Sequence, residues 1–203
     1  MMDLTRKTAF LLAAASGRRV SEIHALSTAE HHIEWNSDLV RLLPRAGFLS
    51  KNQTADFTPK HIVLPDLRKS SGSDDCGPWC PVRALKYYLH RTKPYRKEDA
   101  LFLTVNKPRK ASKRTISRWV ISVIRDSIEA EEIQAVGSNV RCHDLRSQAA
   151  AWALYKGASI GDIMEAQGWS SSTTFQTVYL KDVLVPASRV LSSGRSSKGS
   201  LTH

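Results

Sequence analysis

Residues 140–157, VRCHDLRSQAAAWALYKG, have the composition of a helix that carries two cationic side chains near its start. At helical spacing, its apolar side would be formed by Leu145, Ala149, Trp152 and Ala153. His143 and Arg146 are three residues apart, so both lie on one face of this helix. Two groups that can bind a phosphate therefore share a direction. Charged residues are common at helix starts, however, and periodicity alone favours a solvated first turn.

The composition predicts a folded domain with a polyanionic partner. The chain has 203 residues, 41% of them hydrophobic, which is enough to bury a core. Thirty Lys and Arg against nineteen Asp and Glu give a net charge of +11. This charge favours nucleic acid as the partner and, second, an anionic membrane surface. The most apolar early stretch, AFLLAAAS at residues 9–16, is too short for a spanning helix, so no membrane partner is expected.

There are only three cysteines, an odd number, so a disulfide framework is not expected: Cys76, Cys80 and Cys142. This cysteine content predicts a reducing intracellular compartment. No second Cys or His pair accompanies CGPWC at zinc spacing, so no metal is predicted there. Cys142 is interpreted as a small buried residue. The sequence also has no P-loop, no dinucleotide-binding fingerprint and no carboxylate cluster for Mg²⁺, and we therefore expect no cofactor.

Periodicity and turn residues predict an α+β fold that is mainly helical. The β-rich runs HHIEW, LVRLLP and HIVLP, within residues 31–65, predict a small antiparallel sheet near the N-terminal third. A first helix should end at Gly17, and VSEIHALS should form a short second helix with Val20, Ile23 and Leu26 facing inward. Further helices are predicted at residues 81–92, 114–130, 143–156, 159–167 and, as a shorter one, 173–183.

A basic segment leads into the helix predicted at residues 114–130. Between residues 101 and 125 there are seven Lys or Arg and no acidic residue. This density suits a loop and helix start that face DNA phosphates, and a solvated basic face is the alternative. The residues assigned to DNA binding on this basis are Lys107, Arg109, Lys110, Lys113, Arg114 and Arg118.

Several separate motifs fit one chemistry when they are taken together. GRRVSEIHAL contains Arg19 and Glu22, SKNQ contains Lys51, CHDLR contains the His143 and Arg146 pair, and GWSSSTTFQTVYLKD contains Trp169 and Tyr179. In these residues and their order the sequence resembles the tyrosine recombinase (integrase) family. The resemblance extends over residues 5–183, and the joint match is much more specific than any single motif. It implies the fold of a tyrosine recombinase catalytic domain, with the small sheet already predicted.

The motifs HALS, CPVRALKYYL, TISRWV and GWSSSTTFQTVYLKDV look most like recombinases of DIRS and Ngaro-type eukaryotic retroelements, and second like those of Crypton transposons. Trp169 precedes Tyr179 by ten residues, one more than in most phage and bacterial members of the family. The resemblance implies a role in integration or excision of a mobile element. It also implies a nuclear location, although no single basic cluster in the sequence indicates one.

The resemblance also sets expectations for domains and partners. Residues 1–190 are expected to be the catalytic domain and residues 191–203 a flexible basic Ser/Gly-rich tail. The separate N-terminal core-binding domain of the family is expected to be absent. The expected partner is double-stranded DNA, bound by a homo-tetramer of the full-length protein, whereas this fragment is expected to be a monomer. The segment LKDVLVPASRVL could exchange between neighbouring protomers or pack onto its own domain.

The resemblance assigns the phosphate-binding roles to Arg19 and Arg146. Two guanidinium groups can bind the non-bridging oxygens of a phosphodiester bidentately and stabilise the charge that develops during attack. Glu22 is expected to hold the Arg19 side chain or its neighbouring loop, and a simple surface pair is the alternative. Trp169 is expected to donate its indole N–H to a phosphate oxygen, to be a core residue, or to do both.

The remaining roles concern proton and phosphoryl transfer. Tyr179 is the expected nucleophile, His143 accepts a proton or hydrogen-bonds a phosphate oxygen, and Lys51 protonates the leaving 5′-oxygen. Lys60 is the rival of Lys51 for this last role. The alternative functions are a domesticated DNA-binding module without chemistry, topoisomerase-like nicking and rejoining without strand exchange, and a basic RNA-binding or membrane-surface domain.

Overall fold

The structure, a computed structural model, describes residues 1–49, 60–67, 74–130 and 140–169, with residues 74–76 described in their backbone only. The chain divides into two compact units, Met1–Ala149 and Ala150–His203. Among the described helices, none has the length and apolar character needed to cross a membrane. The predictions for Lys51, for Tyr179, for a helix at 173–183 and for a tail at 191–203 concern residues outside the described part.

The first helix, α1, spans Met2–Ser16 and ends at Gly17, as its sequence predicts. Gly17 adopts a left-handed conformation (φ 57°) that favours glycine, and its N–H donates to the carbonyl of Ala13 at 3.0 Å. The inner face of α1 carries the fully buried Ala9 and Leu12. The turn at Gly17 places two consecutive arginines immediately after α1.

The second helix, α2, is shorter than VSEIHALS predicts and spans Val20–His24. The chain leaves the helix because Leu26 forms a β-bridge with Pro44 and Ser27 forms one with Ala100. The predicted inward direction is confirmed for Ile23 and Leu26, which are buried. Long-range backbone pairing therefore overrides the helical preference of the last residues.

The predicted antiparallel sheet is confirmed. It consists of β1 (Ile33–Trp35), β2 (Leu39–Leu42) and β3 (Ile62–Pro65), in the order β1-β2-β3. The register sets Val40 opposite Leu64 and Leu42 opposite Ile62. All four side chains are buried, so one face of β2 and β3 covers the core.

Two long helices complete the core of the first unit. Helix α3 spans Pro81–Thr92 and α4 spans Lys113–Ala130, and both pack against α1. The buried hydroxyl of Tyr88 in α3 accepts a hydrogen bond from the backbone N–H of Leu103, in the segment that connects α3 with α4, at 3.0 Å. Pro81 lies at the start of α3, as predicted, because its missing N–H costs nothing there.

Helix α5 spans Cys142–Tyr155, and its first turns belong to the first unit. Cys142 and Leu145 pack against the core of that unit, and Arg146 is buried. The predicted apolar side is wrong for Trp152, which is 61% exposed. Trp152 follows the buried Ala150 by two residues and so lies about 200° further round the helix. Its ring packs beside Tyr155 instead, with centroids 5.6 Å apart.

In the second unit, α6 spans Ile160–Gln167, close to the predicted bounds. The hydroxyl of Ser159 accepts a hydrogen bond from the N–H of Asp162 at 3.1 Å, which is a typical N-cap. The buried Ala150 and Ile163 form a small cluster, and the partly buried Trp169 packs against it.

Candidate active site

The consecutive arginines after α1 occupy different environments. Arg18 is only 6% exposed, and its Nη1 donates to Oε1 of Glu22 at 3.0 Å. Its Nη2 donates to the carbonyl oxygen of His61 at 3.2 Å. Arg19 is half-buried and does not share these two bonds. Arg18 therefore makes its contacts inside the protein, and the Arg19 side chain is the more accessible of the two.

Glu22 connects α2 with α5. Its buried carboxylate accepts a hydrogen bond from the backbone N–H of Arg19 through Oε2 at 2.9 Å. The same Oε2 lies 3.8 Å from Nη1 of Arg146, which is 3% exposed. Glu22 thus binds the backbone of the turn that carries Arg19 and also pairs with an arginine far along the chain. The ionised carboxylate is stabilised by cations on both sides, as a buried charge requires.

His143 and Arg146 lie in the first turns of α5, one helical turn apart. Arg146 is buried, whereas the His143 side chain is largely exposed. Partial desolvation of the imidazole lowers the pKa of His143, and the positive charges of Arg146, Arg19 and Arg141 lower it further, against an opposing effect of Asp144. The positive charges of Arg19 and Arg146 therefore both act on His143. At neutral pH its imidazole is neutral and can accept a proton.

The lowered pKa of His143 has a measurable consequence for stability. The unfolded chain binds this proton near the ordinary pKa of 6.5, and the folded chain binds it only at lower pH. Stability is therefore lost as pH falls below 6.5 towards the folded-state pKa. We expect wild-type protein to lose more of its free energy of unfolding between pH 7.5 and pH 5.5 than His143→Gln does. Denaturant unfolding at the two pH values measures this, and equal losses would contradict the shift.

The structure describes only some of the other predicted site residues. Trp169 lies in the second unit, packed against the cluster of Ala150 and Ile163. Trp169 thus packs as a core residue, and a hydrogen bond from its indole N–H to a phosphate oxygen stays a prediction. Lys60, the rival general acid, is exposed and directly precedes His61, whose carbonyl binds Arg18.

The basic segment before α4 forms a short hairpin. Leu103 and Lys110 form a β-bridge, and the N–H of Thr104 donates to the carbonyl of Arg109 at 2.9 Å. The hydroxyl of Ser112 then caps α4 by accepting from the N–H of Thr115 at 3.1 Å. The hairpin and the first turns of α4 present a row of charged side chains to solvent. Five of the six predicted DNA contacts are exposed and Lys110 is half-buried, the exposed ones being Lys107, Arg109, Lys113, Arg114 and Arg118.

Sequence reasoning passed over Arg18 and His24. The doublet RR in GRRVSE was a signal, but the motif selects only its second arginine. His24 is half-buried at the end of α2. Burial lowers the pKa of His24, and the positive charges of Arg45 and Lys113 lower it further. A second group of cationic side chains therefore lies near the end of α2.

Cys142 precedes His143 but is not a reactive group. Burial raises the pKa of its thiol to about 11, against a hydrogen bond with the Ser117 side chain that lowers it. The thiol is therefore protonated at neutral pH, and the side chain packs against the core but is only partly buried, whereas a buried residue was predicted. In the described ranges, no three His, Cys, Asp or Glu side chains come together as a group that could hold a metal ion.

The fold is similar to that of solved site-specific recombinases. The chain matches XerA recombinase with a TM-score of 0.57 and 22% identity, over 90% of this chain and 58% of that one. It matches XerH bound to its difH substrate in a pre-cleavage complex with a TM-score of 0.59 and 16% identity, over 85% and 42% of the two chains. A lambda integrase dimer bound to a COC′ core site gives 0.52 and 12%, over 84% and 50%.

These similarities establish that the chain has the fold of a tyrosine recombinase catalytic domain, mainly helical with a small antiparallel sheet. The chain spans only 42 to 58% of the length of these structures. No protein-family model and no curated protein matches the sequence.

Proposed function

We propose that this chain is the catalytic domain of a site-specific DNA recombinase or integrase of the tyrosine recombinase family. It would cleave and rejoin DNA strands through a 3′-phosphotyrosyl intermediate. The observation that carries this proposal is the arrangement around Glu22, which binds the Arg19 turn and pairs with Arg146 beside His143. This arrangement occurs within a fold shared with known site-specific recombinases.

The arrangement suits attack on a phosphodiester. The pentacoordinate transition state concentrates negative charge on the non-bridging oxygens, and preorganised guanidinium groups stabilise that charge. Arg19 and Arg146 would bind these oxygens. Because Arg146 is held in a buried site near Glu22, its guanidinium needs little reorganisation when the phosphate arrives.

The proposed reaction is a transesterification that conserves bond energy. The phenolic oxygen of Tyr179 attacks the scissile phosphorus and loses its proton, a new P–O bond forms to the tyrosine, and the 5′-oxygen leaves with a proton. A free phenol has a pKa near 10, so attack needs neighbouring cations and a proton acceptor. The neutral His143 is suited to accept that proton. Rejoining is the reverse step with a 5′-hydroxyl as nucleophile, so no cofactor is required.

DNA is the proposed partner on chemical grounds. The exposed basic residues of the hairpin and of α4 would neutralise backbone phosphates. The motifs that resemble DIRS, Ngaro and Crypton recombinases suggest a mobile element as the biological context, with a nuclear location. A homo-tetramer on DNA is the proposed assembly of the full-length protein.

A nicked suicide DNA substrate tests the function. The nick releases a short fragment after cleavage, so rejoining fails and the covalent intermediate accumulates. We expect a protein–DNA adduct that survives denaturation. Specific binding without an adduct would instead favour the domesticated DNA-binding module. An adduct with relaxation of supercoiled DNA, but without exchange between two sites, would favour topoisomerase-like activity.

The general acid can be identified by changing the leaving group. Lys51→Ala is expected to slow cleavage of ordinary DNA and to have little effect on a substrate with a 5′-bridging sulfur, since a thiolate leaves without a proton. A general acid typically contributes about 10² to 10⁴ in rate. Lys60→Ala is the matched variant. If rescue by sulfur occurs for Lys60→Ala and not for Lys51→Ala, the role belongs to Lys60.

A further inference from the structure

Arg18 lies beside the candidate site, and the resemblance gives it no role although it lies within GRRVSE. Its guanidinium is buried and joins two elements, Glu22 of α2 at 3.0 Å and the His61 carbonyl before β3 at 3.2 Å. It therefore ties the α2 turn to the edge of the sheet. Through the shared carboxylate of Glu22, it is also coupled to Arg146 of α5.

The carboxylate of Glu22 divides its two oxygens between different partners. Oε1 binds Arg18, and Oε2 binds the N–H of Arg19 and lies 3.8 Å from Nη1 of Arg146. The Arg18 contact is shorter than the Arg146 contact, which is longer than a direct hydrogen bond. Glu22 is thus paired more closely with Arg18 than with Arg146.

We propose that Arg18 is a positioning residue, which holds Glu22 so that the Arg146 guanidinium stays available to the scissile phosphate. The role in cleavage rests on the function proposed above. Without Arg18, Oε1 of Glu22 would be a buried acceptor without this donor, and a buried carboxylate that loses its counter-ion draws in a remaining cation. Arg146 is that cation, and it would move towards Glu22 and away from substrate.

Arg18→Met keeps an unbranched apolar stem of similar length and removes the charge. We expect it to lower the rate of adduct formation on suicide DNA about 10²-fold, the size typical of a small misplacement of a reacting group, with nearly unchanged DNA affinity. In a Glu22→Gln background, Arg18→Met should lower the rate of adduct formation much less than it does in the wild-type protein, because the neutral amide of the glutamine needs no counter-ion.

A second readout does not depend on activity. The positive charge of Arg146 lowers the pKa of His143. If loss of Arg18 draws Arg146 towards Glu22, the pKa of His143 rises in the free protein. NMR titration of the histidine ring measures this, and His143→Gln identifies the resonance. If wild type makes no adduct, the proposed function fails, and the titration still decides whether Arg18 positions Arg146.

Arg96→Met is the matched control. Arg96 is a partly buried arginine whose nitrogens, like one of Arg18, bind backbone carbonyls, those of Ala100 and Leu101 at 2.8 and 2.9 Å, but outside the candidate site. We expect it to lower thermal stability and to leave both the His143 pKa and the cleavage rate unchanged. If Arg18→Met behaves like this control, Arg18 is merely structural and the proposal is overturned.

Arg18→Lys decides the question if Arg18→Met does not fold. The lysine keeps a positive charge near Glu22 but lacks the planar fork that reaches both Glu22 and the His61 carbonyl. A smaller loss of cleavage rate with an upward shift of the His143 pKa supports the proposal. Wild-type values of both quantities overturn it.

Discussion

Tyr179→Phe is expected to abolish the covalent protein–DNA adduct on a nicked suicide substrate. The substitution removes one oxygen atom and leaves the ring, so it removes the proposed nucleophile with little other change. DNA affinity should be nearly unchanged, because the basic hairpin and α4 are intact. The measurement is gel separation after denaturation, together with a binding assay on the same DNA.

Tyr155→Phe and Tyr87→Phe are suitable controls for this experiment. Both tyrosines are exposed, at 77% and 54%, so their hydroxyl groups are accessible from solvent. Neither should affect the adduct. An adduct that persists in Tyr179→Phe but is lost in one of the controls would transfer the nucleophile to that tyrosine.

Arg146→Met is expected to reduce the cleavage rate about 10² to 10³-fold, the loss typical for removal of one preorganised donor to a developing oxyanion. The effect should fall on the rate of adduct formation more than on DNA affinity, since the exposed basic residues proposed to bind phosphates are unchanged. Arg146 is buried beside Glu22, so the variant should also be less stable. Rates are therefore compared at a temperature at which thermal unfolding shows both proteins folded.

Arg141→Met provides the comparison for Arg146→Met. Arg141 also lies near the start of α5, but it is exposed and its Nη2 pairs with Oδ1 of Asp144 at 3.3 Å. Exposed pairs of this kind contribute little to stability. We expect cleavage close to wild type. An equal loss in the two variants would indicate that general positive charge matters near α5, and not a specific contact of Arg146.

Local sequence signals predicted most of the secondary structure. The end of α1 at Gly17 and the start of α3 at Pro81 both follow from residues with special backbone preferences. The β-rich runs HHIEW, LVRLLP and HIVLP predicted the small antiparallel sheet. Where prediction failed, as at the end of α2, the cause was pairing with residues distant in sequence.

Periodicity identified the shared face of His143 and Arg146 but not its environment. It favoured a solvated first turn, whereas Arg146 is buried and His143 is largely exposed. Helical spacing likewise assigned Trp152 to the apolar side of the helix, but its side chain is exposed. Helical spacing relates the side chains of one helix to each other, but which face is covered depends on what packs against it.

The amino-acid order alone predicted the sheet and most of the described helices, because caps and periodicities are encoded within a few residues of each other. It also contains the motifs whose family resemblance assigned site roles to Arg19, His143 and Arg146, and these roles stay predictions. Folding was required to distinguish Arg18 from Arg19 and to show that Glu22 joins the α2 turn to Arg146. The pair of Glu22 and Arg146 joins residues more than a hundred positions apart, and both findings depend on which charges are removed from water together. Burial of that kind is a property of the packed chain.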